Sequence, residues 1–133
     1  MSRPFLEQLD FLYMPSRDVA MDATYFAEVL GGRILFAIEA TGTRVAAVAQ
    51  GAGPPLVLFA DHLDGEAPVL VYRVPDLTEA LDALEARGWN RETTFEIPHG
   101  PCCSFRTPGG HRVALYQLTR PEVAAHFEGR RDF

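Results

Sequence analysis

Tyr72-Arg73-Val74-Pro75-Asp76-Leu77-Thr78-Glu79 is the stretch on which the reading of this chain turns. The apolar run from Pro68 to Val74 has strand character, and Asp76 with Glu79 three residues later forms a capping box that starts a helix. Leu77, Ala80, Leu81 and Leu84 then fall on one helical face before Gly88 supplies a C-terminal cap. The same signs stand earlier in the chain at a nearly constant interval: Asp18 answers Asp76, Gly31 answers Gly88, Gly42 answers Gly100 and Gly53 answers Gly110. One unit is written twice. A unit of this size cannot bury the apolar face of its own sheet, so two copies in one chain complete each other around a shared concavity, where function is to be sought.

Outward from the two helices, each copy has the same order of elements. Leu6 to Met14 reads as a strand, and Val19, Ala23, Phe26, Ala27 and Leu30 make the buried stripe of the first helix. Arg33 to Ala40, Thr43 to Gln50 and Leu56 to Ala60 follow as three strands, separated by the Thr41-Gly42 turn and the breaker run Gly51 to Pro55. In the second copy Trp89 to Ile97, Cys102 to Thr107 and Arg112 to Leu118 repeat them around the turns His99-Gly100 and Pro108-Gly109-Gly110. Both copies are βαβββ, and the fold class is α+β. The spacing predicts one domain over 1–133, with module one at 5–60, a linker at 61–67, module two at 68–118 and a helix and tail at 119–133. Thr119 and Glu122 predict the start of that last helix, with Pro121 in its first turn.

Hydrophobic residues make up 47% of the chain, enough for a real core, and the net charge of -6 removes any attraction to phosphate backbones or anionic lipid. Nucleic acid and membrane are not expected as partners. Residues 1–10 lack the charged and apolar blocks of a secretory leader, and the expected location is cytoplasmic. Cys102 and Cys103 are read as reduced thiols on opposite faces of one strand, since a bridge between neighbours strains the peptide.

Two phrases in this order, Tyr72-Arg73-Val74-Pro75-Asp76-Leu77 and Thr107-Pro108-Gly109-Gly110-His111-Arg112-Val113-Ala114-Leu115-Tyr116, together with the repeat, make the chain resemble the vicinal oxygen chelate superfamily, also called glyoxalase/bleomycin resistance/dioxygenase. The resemblance covers about Leu6 to Leu118. It implies that the two modules form a curled mixed sheet around an open cup, helices outside, and that two chains pair as a homodimer. It also implies where a divalent metal would be held. Aligned by the repeat, those positions are Phe11, Val57, Val69 and Ala114, and none of these side chains can donate to a metal. No metal and no other cofactor is expected. His62, His99, His111 and His126 show no ligand spacing that would replace the missing donors.

Strand alternation from those positions puts Tyr13, Val71, Arg73, Phe59, Arg112 and Tyr116 on the cup face as well. Such a lining suits a small, partly apolar or aromatic molecule, with tyrosines for stacking and a guanidinium for a carboxylate, phenolate or carbonyl. The same aromatics could instead fill the cup. His99, at a hairpin tip, is the one candidate proton carrier. Three functions are compatible. The first is metal-free binding of a small organic molecule, for which the bleomycin-resistance branch of the resemblance implies sequestration of a toxic compound or antibiotic. The second is a metal-independent isomerase or lyase using Tyr13, Arg73, His99 and Tyr116, and the third an assembly protein with a closed pocket. The homodimer is also expected from Val123, Ala124 and Phe127, a stripe with no evident partner in its own chain, with Phe133 as a further anchor. Purified protein is expected to carry no stoichiometric zinc, nickel, iron or manganese; one equivalent found by elemental analysis after tag removal would overturn the reading of the four apolar positions.

Overall fold

A computed structural model describes residues 6–133; the module boundary placed at residue 5, and the reading of residues 1–5 as free of a leader, lie outside the described residues. The first unit runs β1 (Gln8–Pro15), α1 (Val19–Glu28), β2 (Arg33–Ala40), β3 (Thr43–Ala49) and β4 (Leu56–Ala60). The second runs β5 (Val69–Arg73), α2 (Leu77–Ala86), β6 (Phe95–Ile97), β7 (Gly100–Arg106) and β8 (Arg112–Tyr116), before a short α3 (Val123–Phe127). Asp18 and Asp76 cap the two long helices as the sequence requires, each carboxylate accepting at 3.0 Å from an amide three residues on, Met21 and Glu79. Among the described residues no helix is long and apolar enough to cross a membrane.

All eight strands join one curled mixed sheet in the order β2-β3-β4-β1-β5-β8-β7-β6. Its centre is the antiparallel pair β1 and β5, where Phe11 faces Val71 and Tyr13 faces Val69. On either side the first strand of each unit lies parallel to the last, β1 beside β4 and β5 beside β8. The helices cover the convex face with separate cores. Val19 and Ala23 of α1 pack on Ala46, Val48, Val57 and Phe59, while Leu77, Ala80 and Leu81 of α2 pack on Cys103 and Leu115. The two thiols do point to opposite faces, since Cys102 belongs to a third cluster on the concave side with Val71, Ala114 and Tyr116.

Three sequence expectations need correction. Val57 and Phe59 do not face the cup: they lie beneath α1, where the Phe59 ring meets Phe26 edge-on at 4.9 Å. Their neighbours Leu56 and Leu58 share the cup face with Phe11 and Tyr13, because a slip of one residue turns every side chain of a strand over. The strand expected from Trp89 is only Phe95–Ile97; Trp89 packs edge-on against Phe105 at 5.3 Å under α2 instead. The last helix starts at Glu122 with no side-chain cap, since the amide of Thr119 is donating to the His99 carbonyl at 3.0 Å.

One residue of the C-terminal stripe, Phe127, finds a partner in its own chain, while Ala124 stays exposed. Phe127 lies 5.4 Å from Phe36 of β2, and the tail beyond it runs along the outer edge of that strand. Gly129 donates to the Leu35 carbonyl, Ala37 donates to Arg130 and Asp132 donates back to Ala37, at 2.6 to 2.8 Å. Phe133 reaches the core under α1, with the Arg44 guanidinium 4.6 Å above its ring. Phe127 and Phe133 are thus engaged within the chain.

The corrected register has a measurable consequence. Phe59→Ala is expected to destabilise the fold by about 3–5 kcal/mol in urea unfolding, whereas Leu58→Ala, on the half-exposed cup face, costs roughly half as much or less. Equal losses would restore the opposite facing of the strand.

Candidate functional site

The concave face is unlike in its two halves. Over module two it is closed: Val71, Cys102, Ala114 and Tyr116 are buried, with Phe11, Ile97 and Leu118 packed on them. The closing piece is the hairpin between β6 and β7, folded over by its own turn. Both Thr119 and Arg120 donate backbone N–H groups to the His99 carbonyl at 3.0 Å, and the Arg120 guanidinium holds the carbonyls of Ile97 and Pro98 and the carboxylate of Glu96. Gly100 permits this approach, for a Cβ there would stand 2.0 Å from the Gln117 carbonyl oxygen. His99 is thereby set 5.5 Å from the Phe11 ring and 5.8 Å from that of Tyr116.

Over module one the concave face is only partly covered, Phe127 lying on Phe36 beside the fully buried Ala47. A hollow of about 350 Å³ is bounded by Asp10, Phe11, Arg33, Leu35, Ala49 and Leu56, with the loop from Gly51 to Pro54 as one wall. Its floor is apolar. Its charged lining residues are Asp10 of β1 and Arg33 of β2, on strands at opposite edges of this half of the sheet.

Asp10 is the residue that sequence alternation missed. Counting by twos from Phe11 sends it to the helix side, but β1 carries a bulge between Leu9 and Phe11, so that Gln8 and Phe11 share the concave face and the extra residue turns toward it too. There it is 8% exposed. Its carboxylate accepts from Gln8 Nε2 at 2.5 Å and from the Tyr116 hydroxyl in a short hydrogen bond, with Arg73 Nε 3.7 Å away. Arg73 lies closer to Glu7, at 3.2 Å. A lone Asp inside the apolar run Leu9 to Met14 was the available signal, because a charge on a central strand demands partners.

The structure brings Phe11, Arg73 and Tyr116 of the sequence candidates together around Asp10, with His99 alongside and Val71 and Ala114 beneath. Tyr13 and Val69 pack against the same buried cluster, one pair farther along β1 and β5, and Arg112 stands beside Val69 on β8. There Tyr13 shares a hydrogen bond of 3.2 Å with His62, and Arg112 donates to the carbonyls of Asp64 and Ala67, clasping the linker instead of the cup. Val57 and Phe59 are outside the site altogether.

Burial raises the Tyr116 phenol well above its ordinary value, and the hydrogen bond to Asp10 adds to the effect. Tyr13 is pushed up to about 12 by burial and then by Asp61. Burial lowers His99, against the opposing pull of Asp10, which keeps a neutral imidazole beside the aromatic rings. Cys102 is pushed up to about 12 by burial, and Cys103 is raised for the same reason, so neither thiol is a ready nucleophile. The positions where a metal would be held by resemblance offer no donors even after the correction, since Leu56 and Leu58 replace Val57 on the cup face. Among the described residues no three His, Cys, Asp or Glu side chains gather as a metal site.

No protein-family model matches the sequence, and no match is found among curated proteins. Solved structures are similar. The chain superposes on methylmalonyl-CoA epimerase from Mycobacterium tuberculosis with a TM-score of 0.75 at 19% identity, over 94% of this chain and 96% of that one. A hypothetical protein from Bacillus halodurans gives 0.69 at 11% identity over 83% and 93%. A Streptomyces coelicolor methylmalonyl-CoA epimerase variant in complex with 2-nitronate-propionyl-CoA gives 0.66 at 12% over 86% and 96%. At these identities the likeness is one of fold.

Tyr116→Phe is expected to cost about 1–3 kcal/mol, the penalty for leaving a buried acceptor short of a donor. Tyr116 and Tyr13 both have folded-state values above the unfolded value of 10.0, so their stabilisation is whole below pH 10 and is lost as the pH climbs through the folded-state values. Thermal melts from pH 8 to 12 should therefore show wild-type stability falling above pH 10, and falling less steeply in Tyr116→Phe. A variant as stable as wild type, with the same alkaline slope, would contradict this account of the pair.

Proposed function

We propose that this chain, which has the vicinal oxygen chelate fold, binds a small, partly apolar organic molecule in the partly covered half of its cup, over Phe11, Leu35 and Leu56, without a metal. The observation that carries the reading is the difference between the halves. Module two fills its part of the concave face with its own side chains, while module one leaves about 350 Å³ free, within the range of roughly 300–1,000 Å³ usual for ligand sites. An apolar floor with one carboxylate and one guanidinium is the composition such sites have: area for affinity and a few polar groups for orientation. Structures of similar fold include one in complex with 2-nitronate-propionyl-CoA, which supports small-molecule binding as a use of this architecture.

A second reading is favoured by one feature, Asp10, a nearly buried acid among the residues that line the hollow, its carboxylate held by Gln8 and Tyr116. In a metal-independent isomerase or lyase it would be the group that accepts a proton from substrate. Turnover that Asp10→Asn abolishes without loss of ligand affinity would replace binding by catalysis.

Binding itself is tested with a neutral one-ring probe. Titration with phenylacetamide, followed by methyl NMR, is expected to shift Leu35, Ala49 and Leu56 and to leave Leu81 and Leu115 under α2 unmoved. Ala49→Phe, which fills the hollow, should weaken that binding about tenfold or more with melting temperature little changed. Shifts confined to other surfaces, or an Ala49→Phe variant that binds as well as wild type, would remove the hollow as the site.

A further inference from the structure

We infer that the ligand of this hollow is a monocarboxylate and that Arg33 reads its charge; the inference rests on the binding reading above. Arg33 opens β2, pairs with Ala49 across β3 and stands on the wall of the hollow. Its guanidinium makes no hydrogen bond or ion pair with any described residue.

The repeat supplies an internal comparison. Arg91 follows Arg33 at the interval that separates Asp76 from Asp18, and it is tied to α2 by the carboxylates of Asp82, at 2.5 Å, and Glu85. The matching positions of α1, at the same interval before those acids, are Thr24 and Ala27, which carry no charge. Arg91, in the coil between α2 and β6, meets its two anions on the helix side of the sheet, whereas Arg33, in β2, lines the concave hollow. Neither helix offers Arg33 an anion, and its guanidinium has no carboxylate beside it among the described residues.

The chemistry of the missing anion follows from the surroundings. A guanidinium presents a planar fork of donors that matches the two oxygens of a carboxylate. A single guanidinium balances a single negative charge, and Asp10 on the far side of the floor repels a second one while accepting a hydrogen bond from a hydroxyl or amide. In the sheet order β2 and β1 are three strand spacings apart, about 14 Å between backbones before curl and side chains shorten it. That leaves room for an apolar body of about one ring between the two groups. The net charge of -6 sets the field of the whole chain against an anion, so the preference must be local to Arg33.

The test compares an acid with its amide. Dissociation constants for phenylacetate and phenylacetamide are measured by NMR titration on wild type, Arg33→Met and Arg91→Met, with Leu35, Ala49 and Leu56 as reporters. Wild type is expected to bind the acid about tenfold tighter than the amide. Arg33→Met should lose that preference and keep its affinity for the amide, and Arg91→Met should retain both. Acid and amide bound equally by wild type at these reporters, or a tenfold preference surviving in Arg33→Met, overturns the assignment of the charge and leaves the hollow as a site. Failure of both probes to move the reporters overturns the binding reading and this inference with it.

Discussion

The hydrogen bond from Tyr116 to Asp10 is the contact on which the interior of this molecule depends. It joins the first strand of one unit to the last strand of the other, across the seam where the two sheets become one. A carboxylate so enclosed would carry a heavy desolvation penalty if it stood alone, and the phenol, Gln8 and the nearby Arg73 offset it. Because Tyr116 is committed to this task it occupies the concave side of module two, and His99, Phe11 and Leu118 pack around it. The hollow in the concave face consequently lies on the other side of the seam.

The parts of the fold that are legible in the sequence are those fixed by local chemistry. Asp18 and Asp76 mark helix starts because an exposed amide needs a nearby acceptor, and Gly31 and Gly88 mark the ends because both adopt left-handed backbone, φ +79° and +95°. The opposite facing of Cys102 and Cys103 follows from strand geometry alone. Misreading arises where a single residue decides a face. The interval from Asp18 to Asp76 sets Ala114 against Leu56, whereas the interval from Gly31 to Gly88, shorter by one, sets it against Val57. The repeat tolerates either spacing, but the sheet does not. The bulge at Asp10 is hidden for the same reason, since alternation presumes an unbroken ladder. Thr119 misleads because a capping residue can be claimed by a tertiary partner, here the carbonyl of His99, that no local pattern reveals.

Duplication gives this fold its symmetry, and the residues withdraw it piece by piece. On the outer side of α1, Met21, Tyr25 and Val29 are more than half exposed, while the matching positions of the second unit are Glu79, Ala83 and Arg87. The same helix slot is apolar toward solvent in one unit and largely charged in the other. The backbone requires neither. Differences of this kind between two copies in one chain separate what the architecture needs from what has been added to it, without reference to any other protein.

The tail along β2 bears on how such a sheet stays finite. An open sheet offers two rows of unpaired backbone groups to any passing strand. At one end Gly129 to Asp132 occupies the row on β2 with the chain's own backbone, and the Asp132 carboxylate takes the Glu39 amide besides. At the other end β6 is only three residues long, and Arg120 already holds the carbonyls of Ile97 and Pro98. A neighbouring molecule that sought to extend the sheet at β2 would have to displace the C-terminus first. The last few residues thus serve as a selvedge, finishing the fabric so that it neither unravels nor grows.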